Sequence, residues 1–480
     1  MKKNPATRAI AIAGLGLAIE AGAMNTFDDA TGHLTLHTVT VDGVIHSNVA
    51  ARIDAYSVLD ERAGMPGPTS FDPGSGVLRL GSVHYDGNTY TNVTVRVDDY
   101  ALQHATERAP APCRALAPPK NVVIEVSTAA DLVAAVSEAN SAGGNRTIAL
   151  ADGVYELSAP LLVSAPDITV RGASGDRDAV IIHGAGMTGG VMHVFLVRGS
   201  RFTVADLSLG GVANHGIQIQ GEHEAHEPTV HNVRFADTGE QMLKVSYNRN
   251  DMSKGSNRGV VQCSLFEYTA GVGPQYYIGG IDAHNAADWI VRNNTFRAIR
   301  SPESRLAEHA IHFWSASRNT LVERNIIVDS DRGIGFGLGN RSHLGGTIRN
   351  NMVYTTRDVG IGLESSSGTR VVNNSVYTVN YPNAIEYRFS ATENAFIANN
   401  LTRGAIARRD DATATLASNH TSATEADFED PTNGNLRLAT PIASVIDQAL
   451  ALPDVRDDID GTPRPQGSAP DIGAHEWSGR

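Results

Sequence analysis

An asparagine recurs along the second half of the chain, in "VRNNTF" (291–296), "VERNII" (322–327), "IRNNMV" (348–353), "VVNNSV" (371–376) and "IANNLT" (397–402). The second Asn of each pair, or the lone Asn325, defines the series Asn294, Asn325, Asn351, Asn374 and Asn400, with spacings of 31, 26, 23 and 26 residues. A repeat of that length, flanked by alternating apolar residues, is one coil of a solenoid with loops of variable size. Asn tolerates the left-handed backbone that a tight corner needs, and stacked amides hydrogen-bond from coil to coil. The ladder therefore reads as architecture, with Asn232 in "TVHNVRF" and Cys263 in "VVQCSLF" at the same corner of earlier coils.

A second repeat lies between the asparagines. "GIDAHN" (280–285), "AIHFWS" (310–315), "GIGFGL" (333–338), "GIGLES" (360–365) and "AIEYRF" (384–389) share an apolar frame and differ at the positions between. Coils stacked in register form one parallel sheet whose alternate side chains point inward. Ile217, Leu243, Ile281, Ile311, Ile334, Ile361 and Ile385 then face the core, while Lys244, Asp282, His284, His312, Trp314, Glu364, Glu386 and Arg388 face out among Gly335, Gly337 and Gly362. At about 4.8 Å per strand the outward strip runs roughly 25–30 Å, several sugar units long. A merely solvated strand face favours Thr, Ser, Lys and Asn, so this mixture is expected to dock a ligand. The glycines would let it approach the backbone. Loops 246–258, 268–280 and 300–310 flank the strip and bring Tyr247, Arg249, Tyr276, Tyr277, Arg305, Glu308 and His309.

The rest of the chain frames this solenoid. The start "MKKNPATRAIAIAGLGLAIEAGA" has basic residues, an apolar run and an A-x-A site, so 1–23 reads as a signal peptide and the protein as secreted or periplasmic. No other stretch is apolar for long enough to span a membrane. Residues 27–58 align without gaps on 71–102, each copy centred on an Asp-Gly turn, and give a small β domain over 24–104. A Pro-rich linker follows at 105–120, then the solenoid at 121–440 and a closing segment at 441–480. Leu132, Val133, Val136 and Ala139 recur at helical spacing, so a helix over 129–140 caps the first coil. The two cysteines, Cys113 and Cys263, are expected as buried, unbridged thiols. The acidic run Asp457, Asp458 and Asp460 reads as a solvated turn, with calcium binding as the alternative. A net charge of −13 excludes a general nucleic-acid binder.

The cap, the coils and the end "DIDGTPRPQGSAPDIGAHEW" resemble secreted right-handed parallel β-helix proteins of the pectate-lyase-like superfamily, over roughly residues 120–477. The expected class is all-β. In "GEQMLKVSY", Glu240 and Lys244 resemble the acidic residue and Lys on the base strand of polysaccharide lyases of the chondroitinase B and alginate lyase type. That resemblance implies cleavage of a uronic-acid polysaccharide by β-elimination: a Lys takes the C5 proton, while calcium or cations neutralise the carboxylate. The partner would be an anionic polysaccharide, acted on by a monomer.

On these residues Lys244 or His284 is the candidate base, and His312 the acid toward the leaving oxygen. Arg388, or calcium on Glu364, is the candidate carboxylate clamp. Asp282, Trp314, Glu364, Glu386, Tyr276, Tyr277 and Arg249 are the candidate substrate contacts. C5 epimerisation shares the first step. Glycoside hydrolysis through Asp282, Glu364 and Glu386, and glycan binding without catalysis, stay open.

Overall fold

The computed structural model describes residues 25–28, 33–41, 44–62, 69–72, 75–86, 88–107, 113 and 115–478; the proposed signal peptide and the Asp42-Gly43 turn lie outside them. Two units, Met1–Ala111 and Pro112–Arg480, are each compact.

In the first unit the repeated sequence makes two copies of one hairpin. His33–Val41 pairs antiparallel with Val44–Glu61, and Val77–Tyr85 with Asn88–Glu107. The long strands of the two copies pair with each other in a six-stranded sheet. Each copy's short leading strand, Thr26–Asp28 or Ser70–Asp72, also pairs with the other copy's hairpin. Leu34, Leu36 and Val39 are buried together with Leu78, Leu80 and Val83, which occupy the same positions of the second copy.

In the second unit the helix Ala129–Ser141 starts where the Thr128 hydroxyl accepts the Asp131 N–H at 3.1 Å. It buries Leu132, Ala135, Val136 and Ala139 against the first coil. Val133 faces solvent instead, because Ala135 takes the fourth inward position. Beyond the cap, coil stacks on coil. One parallel sheet has ten strands, from Leu161–Val163 to Ala405–Arg408, and runs through Leu243–Ser246, Ile281–His284, Ile311–Trp314, Ile334–Phe336, Ile361–Glu364 and Asn383–Arg388. A 20-stranded sheet forms the other main wall, and a five-stranded sheet of two-residue strands turns a corner. The seven inward residues from Ile217 to Ile385 are fully buried.

The asparagine corner uses two adjacent columns with separate tasks. Asn294, Asn325, Asn351, Asn374, Asn400 and Asn419 form the ladder, each side-chain amide donating to the next Oδ1 at 2.9–3.0 Å. Left-handed backbone falls on the residue before each: Asn293, Arg324, Asn350, Asn373, Asn399 and Ser418, and in earlier coils Asn232 and Cys263. One residue cannot both turn the chain and aim its amide inward, so the pair divides the work.

Two expectations are corrected. Cys113 and Cys263 form a disulfide, which ties 113–121 to the flank of the coils; Arg171 also donates to the Ala117 carbonyl at 3.1 Å. The sequence separation of 150 residues hid this pairing, because only the coil stack brings the two together. The closing segment runs back along the asparagine corner, where Asn399 donates to the Leu450 carbonyl, Asn373 to Asp471 and Asn350 to Asp457. The acidic turn within it is not solvated: Asp458 is fully buried and accepts the N–H groups of Asp460, Thr462 and Glu476.

Candidate active site

Strand register brings the outward residues of the ten-stranded sheet into two columns. Lys244 lies opposite Asp282, Asp282 opposite His312, and His312 opposite Gly335, while His284 lies opposite Trp314. Side chains at neighbouring positions of a parallel sheet touch, and here they form one connected group.

Asp282 is its centre. Its carboxylate pairs with the Lys244 ammonium, accepts the Trp314 indole N–H at 2.6 Å, and lies 3.7 Å from His284 Nε2 and 4.0 Å from His312 Nδ1. Burial would push the Asp282 carboxyl up, but the Lys244 charge, with the two imidazoles, holds it well below the usual carboxylate range. Burial likewise works against charge on Lys244, yet Asp282 prevails and the ammonium's pKa is raised. Lys244 also donates to His284 Nε2 at 3.1 Å, which leaves Nδ1–H to donate to the Ser315 hydroxyl at 3.1 Å. Burial, set against Asp282 and helped by Lys244, lowers the His284 pKa to about 3, so this imidazole is neutral at physiological pH.

The histidines are covered, contrary to the expectation of an exposed strip. They point away from the coil interior, yet His284 is 5 % and His312 0 % exposed. Tyr247 stacks on His284 at 4.6 Å and Trp314 packs against it at 4.5 Å; Trp314 and His309 cover His312. His312 Nε2–H donates to the Gly337 carbonyl at 3.1 Å. Gly335 does not make an open floor either: a Cβ there would stand 2.8 Å from the His309 ring, so the missing side chain makes room for that imidazole. Lys244, with its side chain 12 % exposed, reaches the surface, as does the half-buried Trp314.

Tyr277, Glu308 and Glu240 lie close enough to Lys244 to interact with its charge. Burial raises the pKa of the half-buried Glu240 carboxyl, and Lys244 opposes the shift. Tyr276 is stacked under the Arg305 guanidinium at 3.4 Å. Arg249 is exposed on its loop.

Glu364, Arg388 and Glu386 fall outside this group. Arg388 bonds Asp410 at 3.0 Å and lies 3.7 Å from Glu364, on strands four and five places from Lys244, or about 19–24 Å away. Glu386 is buried, accepting from Tyr381, Asn383 and Arg409. Arg388 is therefore too far to clamp a sugar whose C5 lies at Lys244. Arg341, which alternation cannot flag because it sits on a short loop, holds its guanidinium 4.8 Å over Trp314 and pairs with no carboxylate among the described residues. Glu308 and His309 are expected on a loop beside the strip and His312 on the strip; that the three form one group is what alternation does not show, and two imidazoles and a carboxylate within five residues are the available signal.

Residues 254–401 match the family model of the right handed beta helix region. The solenoid is a right-handed parallel β-helix. Among solved structures it is similar to the pectate lyase Pel9A, with 15% identity, a TM-score of 0.49 and 71% of this chain and 90% of that one covered. It is also similar to an alginate lyase from Paenibacillus sp. str. FPU-7, with 14% identity, a TM-score of 0.38 and coverage of 63% and 99%. The A-module of Azotobacter vinelandii mannuronan C-5 epimerase AlgE4 matches with 13% identity, a TM-score of 0.34 and coverage of 62% and 95%. These likenesses concern the fold. A search of curated proteins finds no relative.

Proposed function

We propose that this β-helix protein is a polysaccharide-active enzyme that cleaves a uronic-acid polymer by β-elimination at the Lys244 face. The observation that carries the reading is the position of Lys244: an amine that reaches the outer face, held between a buried carboxylate and a neutral imidazole. Proton abstraction at C5 needs a base within about 3 Å of the hydrogen and positive charge at the carboxylate. In this reading Lys244, once deprotonated, is the base, and Asp282 and His284 position it. Arg341 on its Trp314 platform replaces Arg388 as the carboxylate clamp. The exposed phenol of Tyr277 replaces the buried His312 as the donor to the leaving oxygen.

Secretion or a periplasmic location belongs to the same proposal. The Cys113–Cys263 disulfide supports it, since such bonds persist in oxidising compartments. Among the described residues no helix is long and apolar enough to cross a membrane.

Glycoside hydrolysis is the second reading, favoured by Glu240: a half-buried carboxyl with a raised pKa is the form a general acid takes. One experiment separates the two. Purified protein is incubated with uronic-acid polymers while ultraviolet absorbance of the unsaturated product and reducing ends are followed together. Elimination raises both. Reducing ends without absorbance would replace the lyase by a hydrolase, and neither signal on any polymer would remove both.

A further inference from the structure

Beside Asp282, three neighbouring residues each have a buried polar atom with no hydrogen-bond partner: Glu308 Oε2, His309 Nδ1 and His312 Nδ1. The ligating atoms of these three residues lie within 4.8 Å of one another, and His312 Nδ1 is 3.8 Å from Glu308 Oε2. Because a carbonyl only accepts, the Gly337 bond places a proton on His312 Nε2, and Nδ1 is turned toward Glu308 and Asp282. A ring nitrogen and two carboxylates gathered out of water are best satisfied by a cation held between them.

We propose that Glu308, His309 and His312 form a binding site for one divalent transition metal ion of the zinc class. Two imidazoles and one carboxylate are a borderline donor set that suits zinc better than calcium, which takes six or more oxygens. Ligand atoms around a tetrahedral zinc stand about 3.3 Å apart, so small side-chain shifts close the triad and leave a fourth position for water or substrate. The Gly337 carbonyl supplies the outer hydrogen bond that orients a metal-bound imidazole. Gly335 gives His309 the space to join. The other comparable cluster, Asp458, Asp460 and His475, lacks this character: Asp458 is used by three backbone N–H groups, and Asp460 is held by Arg437. The inference does not depend on the elimination reading.

The test is zinc chloride alone, added to the chelator-stripped full chain, with bound metal measured after dialysis and affinity measured against a chromophoric chelator. One zinc per chain is expected. Glu308→Gln and His312→Asn each remove a ligand and should each weaken binding by more than the roughly 10–100-fold that loss of an outer hydrogen-bond partner costs, while His475→Asn should leave it unchanged. Glu308 is partly exposed, so Glu308→Gln carries the test should the His312 variant fail to fold, with circular dichroism as the check. Cobalt(II) in the wild-type protein should give a visible ligand-field spectrum that Glu308→Gln weakens. No zinc retained by the parent, retention by both variants equal to the parent's, or calcium bound in preference to zinc would overturn the site.

Discussion

Lys244 Nζ stands 3.1 Å from His284 Nε2 and shares Asp282 with it, so the one amine at the surface of the site is a charged group held by two buried partners. A Lys held in this way is a base only after it loses its proton, and Asp282 delays that loss.

The first prediction is the pH dependence of turnover. The Lys244 pKa lies above its ordinary 10.5. Activity on a uronic-acid polymer should therefore rise about tenfold per pH unit from about pH 7 to about pH 10 without levelling. A profile flat across that range would give the base role to His284, which is already neutral there.

Removing the amine should cost stability as well as rate. Outward residues of a strand usually matter little to folding, but this pair is buried. Lys244→Ala leaves Asp282 unpaired and should destabilise by about 3–5 kcal/mol, with a rate loss of about 10²–10⁴. Adding Asp282→Asn should recover much of the stability and none of the rate. Urea unfolding of the parent and the two variants checks this, and equal stability of the single and double variants would contradict the pairing.

Acid should destabilise the fold well before its carboxylates titrate. Burial lowers the pKa values of His215, His284 and His343 to about 3. For a His whose folded pKa is depressed, the unfolded chain takes up the proton first. Stability is then complete above about pH 6.5 and falls toward pH 3, each residue adding a slope of up to about 1.4 kcal/mol per pH unit. The depressed Asp282 adds its own loss below about pH 4. Denaturant midpoints unchanged between pH 7 and pH 5 would refute this.

The two asparagine columns should respond differently. Asn351 accepts from Asn325 and donates to Asn374, Val322 and Arg349. Asn351→Ala breaks several buried bonds and should cost about 3 kcal/mol. Asn350 has a left-handed backbone, and its side-chain amide donates to the Asp457 carbonyl. Asn350→Gly should cost about 1 kcal/mol, because glycine keeps the turn. Thermal melting of both tests the division of labour.

Reducing the disulfide should also register. It closes a long loop, with the cysteines 150 residues apart. Chain-entropy reasoning sets its contribution at up to about 5 kcal/mol. Cys263→Ser should lower the melting temperature by several degrees, and a reductant should do the same to the parent.

The sequence alone determined the coil length, the inward frame from Ile217 to Ile385, the asparagine ladder, the capping helix and the duplicated hairpin. Each repeats or is local: a hydrophobic period of two and a hydrogen-bonding side chain once per coil leave the same mark wherever they occur. Alternation also identified Lys244, Asp282, His284, His312 and Trp314 as outward neighbours. It says which side of a strand a residue faces, however, and not what lies over that side. Tyr247, His309, Glu308 and Arg341 come from loops of unequal length whose paths have no period, and these loops cover His284 and His312 and bring a guanidinium to Trp314. The Cys113–Cys263 bond and the return of the last segment along the asparagine corner depend in the same way on which coils end up adjacent. Those contacts were decided by tertiary packing.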